Sequence, residues 1–214
     1  MKTTEIVKML LRFETLGTNW IKSCLSVIVL LISVNSATAQ GNDYDLAVGK
    51  FTGEHKYDIE RPGALDGVTA PEFSGKSLDG KTIRLSKLKG KVVVLNFWFI
   101  ACAPCRIEVT PLNKIVKQFK GKDVVFISVA RDKDADLIKH LRTVPFAFKV
   151  IADPTAAISG DIYHLFGYPT TIVIDKLGKI RYYTLGGKIT EDAVSKELNE
   201  KLVPVINNYL VEKG

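Results

Sequence analysis

The 214 residues suit one folded domain with an extension, and their net charge of +7 is dispersed along the chain rather than gathered in a block. The densest basic cluster, Lys87, Lys89 and Lys91, has no aromatic residues between its members. It reads as a solvated turn, which excludes nucleic acid as the expected partner.

The N-terminus has the layout of an export signal. Lys2, Lys8, Arg12 and Lys22 precede a short apolar run from Cys24 to Val34, and Ala37-Thr38-Ala39 follows as an A-x-A cleavage signature. The run is shorter than the roughly twenty residues a membrane span needs. Residues 1–39 are therefore expected to be a signal peptide, with an uncleaved membrane anchor as the alternative. Cys24 lacks the preceding apolar stretch of a lipid-attachment site. Removing residues 1–39 takes away four basic and two acidic side chains, which lowers the net charge from +7 to +5. It also removes one of three cysteines and leaves an even pair, as suits an oxidising compartment outside the cytoplasm.

Residues 40–67 are polar and rich in turn formers (Gly41, Asn42, Asp43, Gly49, Gly53, Pro62, Gly63) and are expected to form an irregular arm or tether. From residue 68 to the end, strands and helices alternate. Glu72–Lys76 and Lys81–Leu85 flank an Asp79-Gly80 turn, a hairpin signal. Ser86 is placed to cap a short turn. Val92–Phe99 is a continuous β-favouring run of the kind that fills the middle of a sheet. Leu112, Ile115, Val116 and Phe119 recur at helical spacing, so a helix is expected over about Ala103–Phe119. A second parallel strand is expected at Asp123–Ala130 and a helix around Asp134–Arg142. A short strand near Phe148–Ile151 and a helix around Ala156–Leu165 follow. Thr170–Asp175 and Lys179–Leu185 then pair across Lys176-Leu177-Gly178, and Thr190 caps a last helix running to about Tyr209. The order implies an α/β fold, a mixed central sheet sandwiched by helices with an N-terminal hairpin.

At the junction of the central strand and the first long helix stands Cys102-Ala103-Pro104-Cys105. Two cysteines three apart at a helix start can close a tight disulfide ring. Unpaired N–H groups and the helix dipole favour negative charge at that end, so the thiol nearest it is acidified. Cys102 is thus the expected nucleophile and Cys105, within the first turn and more buried, the resolving thiol. Pro104 is tolerated because first-turn residues have no intrahelical N–H bond to lose. A tetrahedral zinc site needs about four ligands, and His55, His140 and His164 are scattered. A c-type haem attachment needs His at position 106, where this chain has Arg. No metal and no cofactor beyond the two thiols are expected, although a pair of soft thiolates also suits Cu(I).

These features resemble the thioredoxin superfamily, in particular its exported TlpA/ResA-type branch. The matching residues are N-F-W-F-I-A-C-A-P-C-R-I-E-V-T-P at 96–111, F-G-Y-P-T-T-I-V-I-D at 166–175 and the lead-in from Ala70 to Lys91. The resemblance covers roughly residues 69–200. It implies a thioredoxin fold and periplasmic thiol–disulfide exchange on oxidised protein substrates, apocytochrome c among them, with electrons supplied by a membrane thiol transporter. A dithiol oxidase is the other direction the same chemistry allows. The resemblance further implies that Pro169 is a cis proline facing the dithiol, presenting the backbone of Tyr168 to an extended substrate. Glu108, three residues beyond Cys105 and so on the same helical face, matches an active-site carboxylate of this branch. Cytoplasmic thioredoxins bury an aspartate six residues before the first cysteine; Asn96 stands there and cannot take a proton, which leaves Glu108 to manage the proton of Cys105. Trp98, Ala103, Pro104, Tyr168 and Thr170 are the expected substrate-binding residues. The chain departs from many relatives in having Ala101 where they place Trp. Arg106 is positioned to add positive potential near the thiols. His164, five residues before Pro169, is expected to be a surface or packing residue rather than a ligand.

Overall fold

Strand β3, Val92–Trp98, is the axis of the fold: all seven of its residues are buried. The computed structural model describes residues 43–61 and 63–212, so the expected signal peptide or anchor, with Cys24, lies outside the described residues. A first hairpin pairs β1 (Ser74–Lys76) with β2 (Thr82–Arg84). The main sheet holds β3, β4 (Val124–Ala130), β5 (Lys149–Ala152), β6 (Thr170–Ile174) and β7 (Ile180–Leu185), in the order β5-β4-β3-β6-β7. β3 runs parallel to β4 and β4 to β5, while β6 is antiparallel to both β3 and β7. This is the mixed sheet of a thioredoxin-like α/β fold.

Side chains alternate across a strand, so β3 feeds two cores. Val92, Val94 and Trp98 face the layer formed by α1 (Ala103–Gln118), α2 (Asp134–Thr143) and the C-terminal helices α3 (Glu191–Glu197) and α4 (Val203–Val211). The Leu198–Leu202 segment between α3 and α4 is wound as a π-helix. Val93, Leu95 and Phe97 face the opposite core, with Phe73, Ile151, Ile158 and Tyr163. Thr190 caps α3 as expected, its hydroxyl accepting from the Ala193 N–H at 3.3 Å. Ser86 is not a cap; its hydroxyl donates to Glu72 Oε1 at 2.9 Å. The helix expected at Ala156–Leu165 is a single π-wound turn, Ala157–Ile162. Asp153, buried, fixes its start by accepting from the N–H groups of Ile158 and Ser159 and from the Ser159 hydroxyl. His164 then leaves it in a left-handed conformation (φ 44°).

The segment before residue 68 is not a free tether. A helical turn over 43–48 and a 3-10 helix, Gly53–Glu60, lie on the second core. Tyr44 is fully buried, packs edge-on against Tyr163 and donates its hydroxyl hydrogen to the Tyr163 carbonyl at 2.8 Å. Val48, Ile59 and Leu65 are buried beside it, and His164 Nε2 lies 3.4 Å from Asp45 Oδ1. Four apolar anchors among polar neighbours thus join the segment to the second core.

Tyr44→Ala is expected to destabilise the protein by about 3 kcal/mol or more through the cavity it leaves. Tyr44→Phe, which loses only the hydrogen bond, is expected to cost about 1 kcal/mol. Urea denaturation checks both, and an unchanged midpoint in Tyr44→Ala would return the segment to the status of a tether.

Candidate active site

The chain leaves β3 at Trp98 and must turn before α1 can begin. The turn is pinned from the next strand's end: the Arg131 N–H donates to the Trp98 carbonyl at 3.1 Å, and the Ile100 N–H donates to Asp132 Oδ2 at 2.8 Å. Cys102 occupies the N-cap of α1, and its Sγ accepts from the Cys105 N–H at 3.2 Å. A disulfide joins Cys102 and Cys105. The two cysteines are almost equally buried, at 5% and 3% exposure. The expected contrast in burial is therefore absent, because Phe99, Ile100 and Tyr168 pack over the same cluster. What separates the two sulfurs is their place relative to the helix end.

Pro169 is buried and follows a cis peptide bond from Tyr168. Its carbonyl accepts from the Gly186 N–H at 2.7 Å, which ties the start of β6 to the end of β7. The Tyr168 ring is half-buried and meets Phe99 edge-on at 5.5 Å. Ala103 is exposed and Pro104 half-buried, so these residues and Tyr168 stand at the surface beside the dithiol. Two expected substrate contacts lie elsewhere. Trp98 is on an inward face of β3, 1% exposed, edge-on to Phe146 and tilted against His140. Thr170 is 0% exposed and spends its hydroxyl on the Gly167 carbonyl at 2.7 Å. Both are carried into the sheet's interior, where neither has an open face. Arg106 is exposed.

Glu108 lies one turn beyond Cys105 on the inner face of α1, 9% exposed. Burial pushes its carboxyl up to about 7, and the negative charge of Glu197 on α3 adds to the rise. A hydrogen bond from Asn96 works against it. Asn96 itself is buried on β3 and donates from Nδ2 to Thr171 Oγ1 at 3.1 Å. Glu197 pairs with Lys201 at 2.8 Å and with Lys188 at 3.7 Å. Tyr182 on β7 is pushed up to about 12, first by desolvation and then by the charges of Glu197 and Glu108, against a lowering hydrogen bond with Thr184. A carboxyl group that is neutral or charged near pH 7, beside a dithiol, can take and return a proton over the range where thiols react. Among the described residues, no three His, Cys, Asp or Glu side chains converge on a metal position.

Asp132, Glu197 and Gly186 escape a reading of the sequence. Only the Gly186-Gly187 doublet after β7 carries a signal, and that signal names a turn rather than a partner for Glu108.

A dithiol at a helix start on this sheet, with a cis proline leading into the strand beside it, defines a thioredoxin-fold thiol–disulfide oxidoreductase. The AhpC/TSA family matches residues 67–183, and the chain belongs to that family. It is 32% identical over 182 residues to the thiol-disulfide oxidoreductase ResA of Bacillus thuringiensis subsp. konkukian, covering 83% of this chain and 95% of that protein. Over 149 residues it is also 32% identical to the thioredoxin-like protein YneN of Bacillus subtilis, covering 68% of this chain and 84% of the relative. Among solved structures, a Chlorobium tepidum protein described as thiol:disulfide interchange protein DsbE superposes with a TM-score of 0.59 at 30% identity. That match covers 66% of this chain and 97% of the other.

Glu108 generates a pH dependence of stability with a defined sign. Its folded pKa, about 7, lies above the ordinary 4.5, so the folded state holds the proton more tightly. The stabilisation is complete below about pH 4.5 and is lost as pH rises through about 7; it amounts to about 3 kcal/mol as an upper bound. Urea unfolding of the oxidised protein at stepped pH is expected to show this decline. Glu108→Gln is expected to flatten it, and an identical slope in both proteins would place the titrating group elsewhere.

Proposed function

We propose that this protein is an exported reductant of protein disulfides, in which Cys102 attacks and Cys105 resolves. The single observation that carries the reading is a buried dithiol at the start of α1 with a buried, easily protonated carboxyl one helical turn further on.

The exchange proceeds in two balanced steps. The Cys102 thiolate attacks one sulfur of a substrate disulfide; a mixed disulfide forms, the substrate S–S bond breaks and one substrate thiolate leaves. Glu108, as carboxylate, takes the proton of Cys105. The Cys105 thiolate then attacks Cys102 Sγ, the mixed disulfide breaks and the second substrate thiolate departs. Two electrons have passed to the substrate, which is reduced to a dithiol once its thiolates are protonated, while Cys102 and Cys105 are left as the observed disulfide. An extended substrate strand lies along the Tyr168 backbone, with Ala103 and Pro104 at its flank. Suitable substrates are oxidised proteins outside the cytoplasm, an apocytochrome c before haem attachment among them. A membrane thiol transporter returns the protein to its reduced form. The export signature at residues 1–39 and the even cysteine pair that remains after its removal support a periplasmic or cell-envelope location. Among the described residues no helix is long and apolar enough to cross a membrane.

The direction of electron flow is tested by equilibrating the protein with glutathione. A potential near about −270 mV supports a reductant, whereas one near about −120 mV makes it a disulfide donor.

Cys105→Ala is expected to accumulate mixed disulfides through Cys102 when offered oxidised substrate, and Cys102→Ala to accumulate almost none. Non-reducing gels after acid quenching read the difference. Equal trapping by both variants would overturn the assignment of nucleophile and resolving thiol.

A further inference from the structure

Two adjacent glycines close β7, and they are glycines for different reasons. Gly187 has a left-handed backbone (φ 146°) and open space around its missing Cβ. Gly186 has no such backbone requirement, yet a Cβ there would collide with Glu108 Oε1, lie 2.8 Å from Pro169 Cγ and 3.4 Å from Glu108 Cδ. The Gly186 N–H is held on the Pro169 carbonyl at 2.7 Å, so its backbone cannot simply swing away. The carboxylate of Glu108 thus rests against bare backbone, in the space that any side chain at 186 would occupy.

We propose that Gly186 is a positioning residue for Glu108: the absence of a side chain at 186 keeps the carboxyl group inside, between α1 and the end of β7. Position 186 then acts on the exchange through another residue rather than by touching the sulfurs. The groups that face Glu108 from other elements are Asn96 on β3, Tyr182 on β7 and Glu197 on α3, the last held by Lys188 and Lys201. A methyl group at 186 drives the carboxylate away from this setting toward water, where its ionised form is favoured. The consequence for rate rests on the proposed role of Glu108 in exchange; the placement itself is read without any substrate.

The test is a carbon-13 titration of the glutamate carboxyls in the oxidised full-length protein, with the Glu108 signal assigned by its loss in Glu108→Gln. In Gly186→Ala the midpoint is expected to fall by about one pH unit; an unmoved midpoint overturns the proposal. A double-mutant cycle with Glu108→Asp, one methylene shorter, separates the two neighbours. If Glu108 is what position 186 makes room for, Gly186→Ala destabilises the Glu108→Asp protein less than the parent. Equal destabilisation in both backgrounds assigns the glycine to the Pro169 ring and overturns the proposal. Should Gly186→Ala alone not fold, the double variant is expected to fold, and its failure would likewise count for Pro169 and against Glu108. A lowered midpoint with an unchanged pH profile of exchange supports the placement and removes Glu108, not Gly186, from its proposed role.

Discussion

The site depends on a strand that has no free side. β3 is paired along both edges and covered on both faces, so its end at Trp98 is fixed in three dimensions. The thiols are delivered from that end within a few residues, and Asp132 and Arg131 hold the short turn between. The other half of the site comes from β6, the antiparallel neighbour of β3, whose first residue follows Pro169. Because β3 and β6 are hydrogen-bonded in register, Asn96 lies opposite Thr171 and bonds to it, and the dithiol turn and the Pro169 turn are held at adjacent strand ends. A thiol pair on a mobile loop has no such geometry; here it is a by-product of the most deeply buried part of the molecule.

Much of this was legible in the sequence for definite reasons. An unbroken apolar run is the mark of a strand covered on both faces, and Val92–Phe99 became β3 less its last residue. The 3.6-residue recurrence of Leu112, Ile115 and Phe119 announced α1, Asp79-Gly80 announced the first hairpin by its turn chemistry, and two strand runs flanking Lys176-Leu177-Gly178 announced the second. Glu108 could be placed on the face of Cys105 from helical spacing alone. What failed was which way a residue faces and what lies across from it. Trp98 looked like an aromatic offered near the cysteines, but the period of β3 turns it inward against Phe146. Residues 40–67 read as an irregular arm or tether because Tyr44, Val48, Ile59 and Leu65 have no regular spacing. Their meaning comes from Tyr163 and the core residues around it, far along the chain. Gly186 was opaque for the same reason: a glycine required by a neighbour's volume carries no local signal.

The electrostatics of the site turn on the choice of Asn at 96 and Glu at 108. Two carboxylates in this small buried space repel, and one of them is then held neutral to high pH. With an amide at 96, the strand supplies a group that is always neutral and can donate a hydrogen bond to Glu108, partly offsetting the desolvation that favours the protonated acid. The second negative charge is set further out, on Glu197, where Lys188 and Lys201 hold it at the edge of the protein. Burial and a distant like charge raise the Glu108 carboxyl, and one hydrogen bond restrains it. The balance puts its midpoint at about 7. A carboxyl group left exposed on this helix keeps an ordinary acidity and is a weak base for a thiol. A fully enclosed one without Asn96 holds its proton too tightly to accept another. The residues that set this balance come from β3, α1 and α3, which the fold brings together at the end of the central strand.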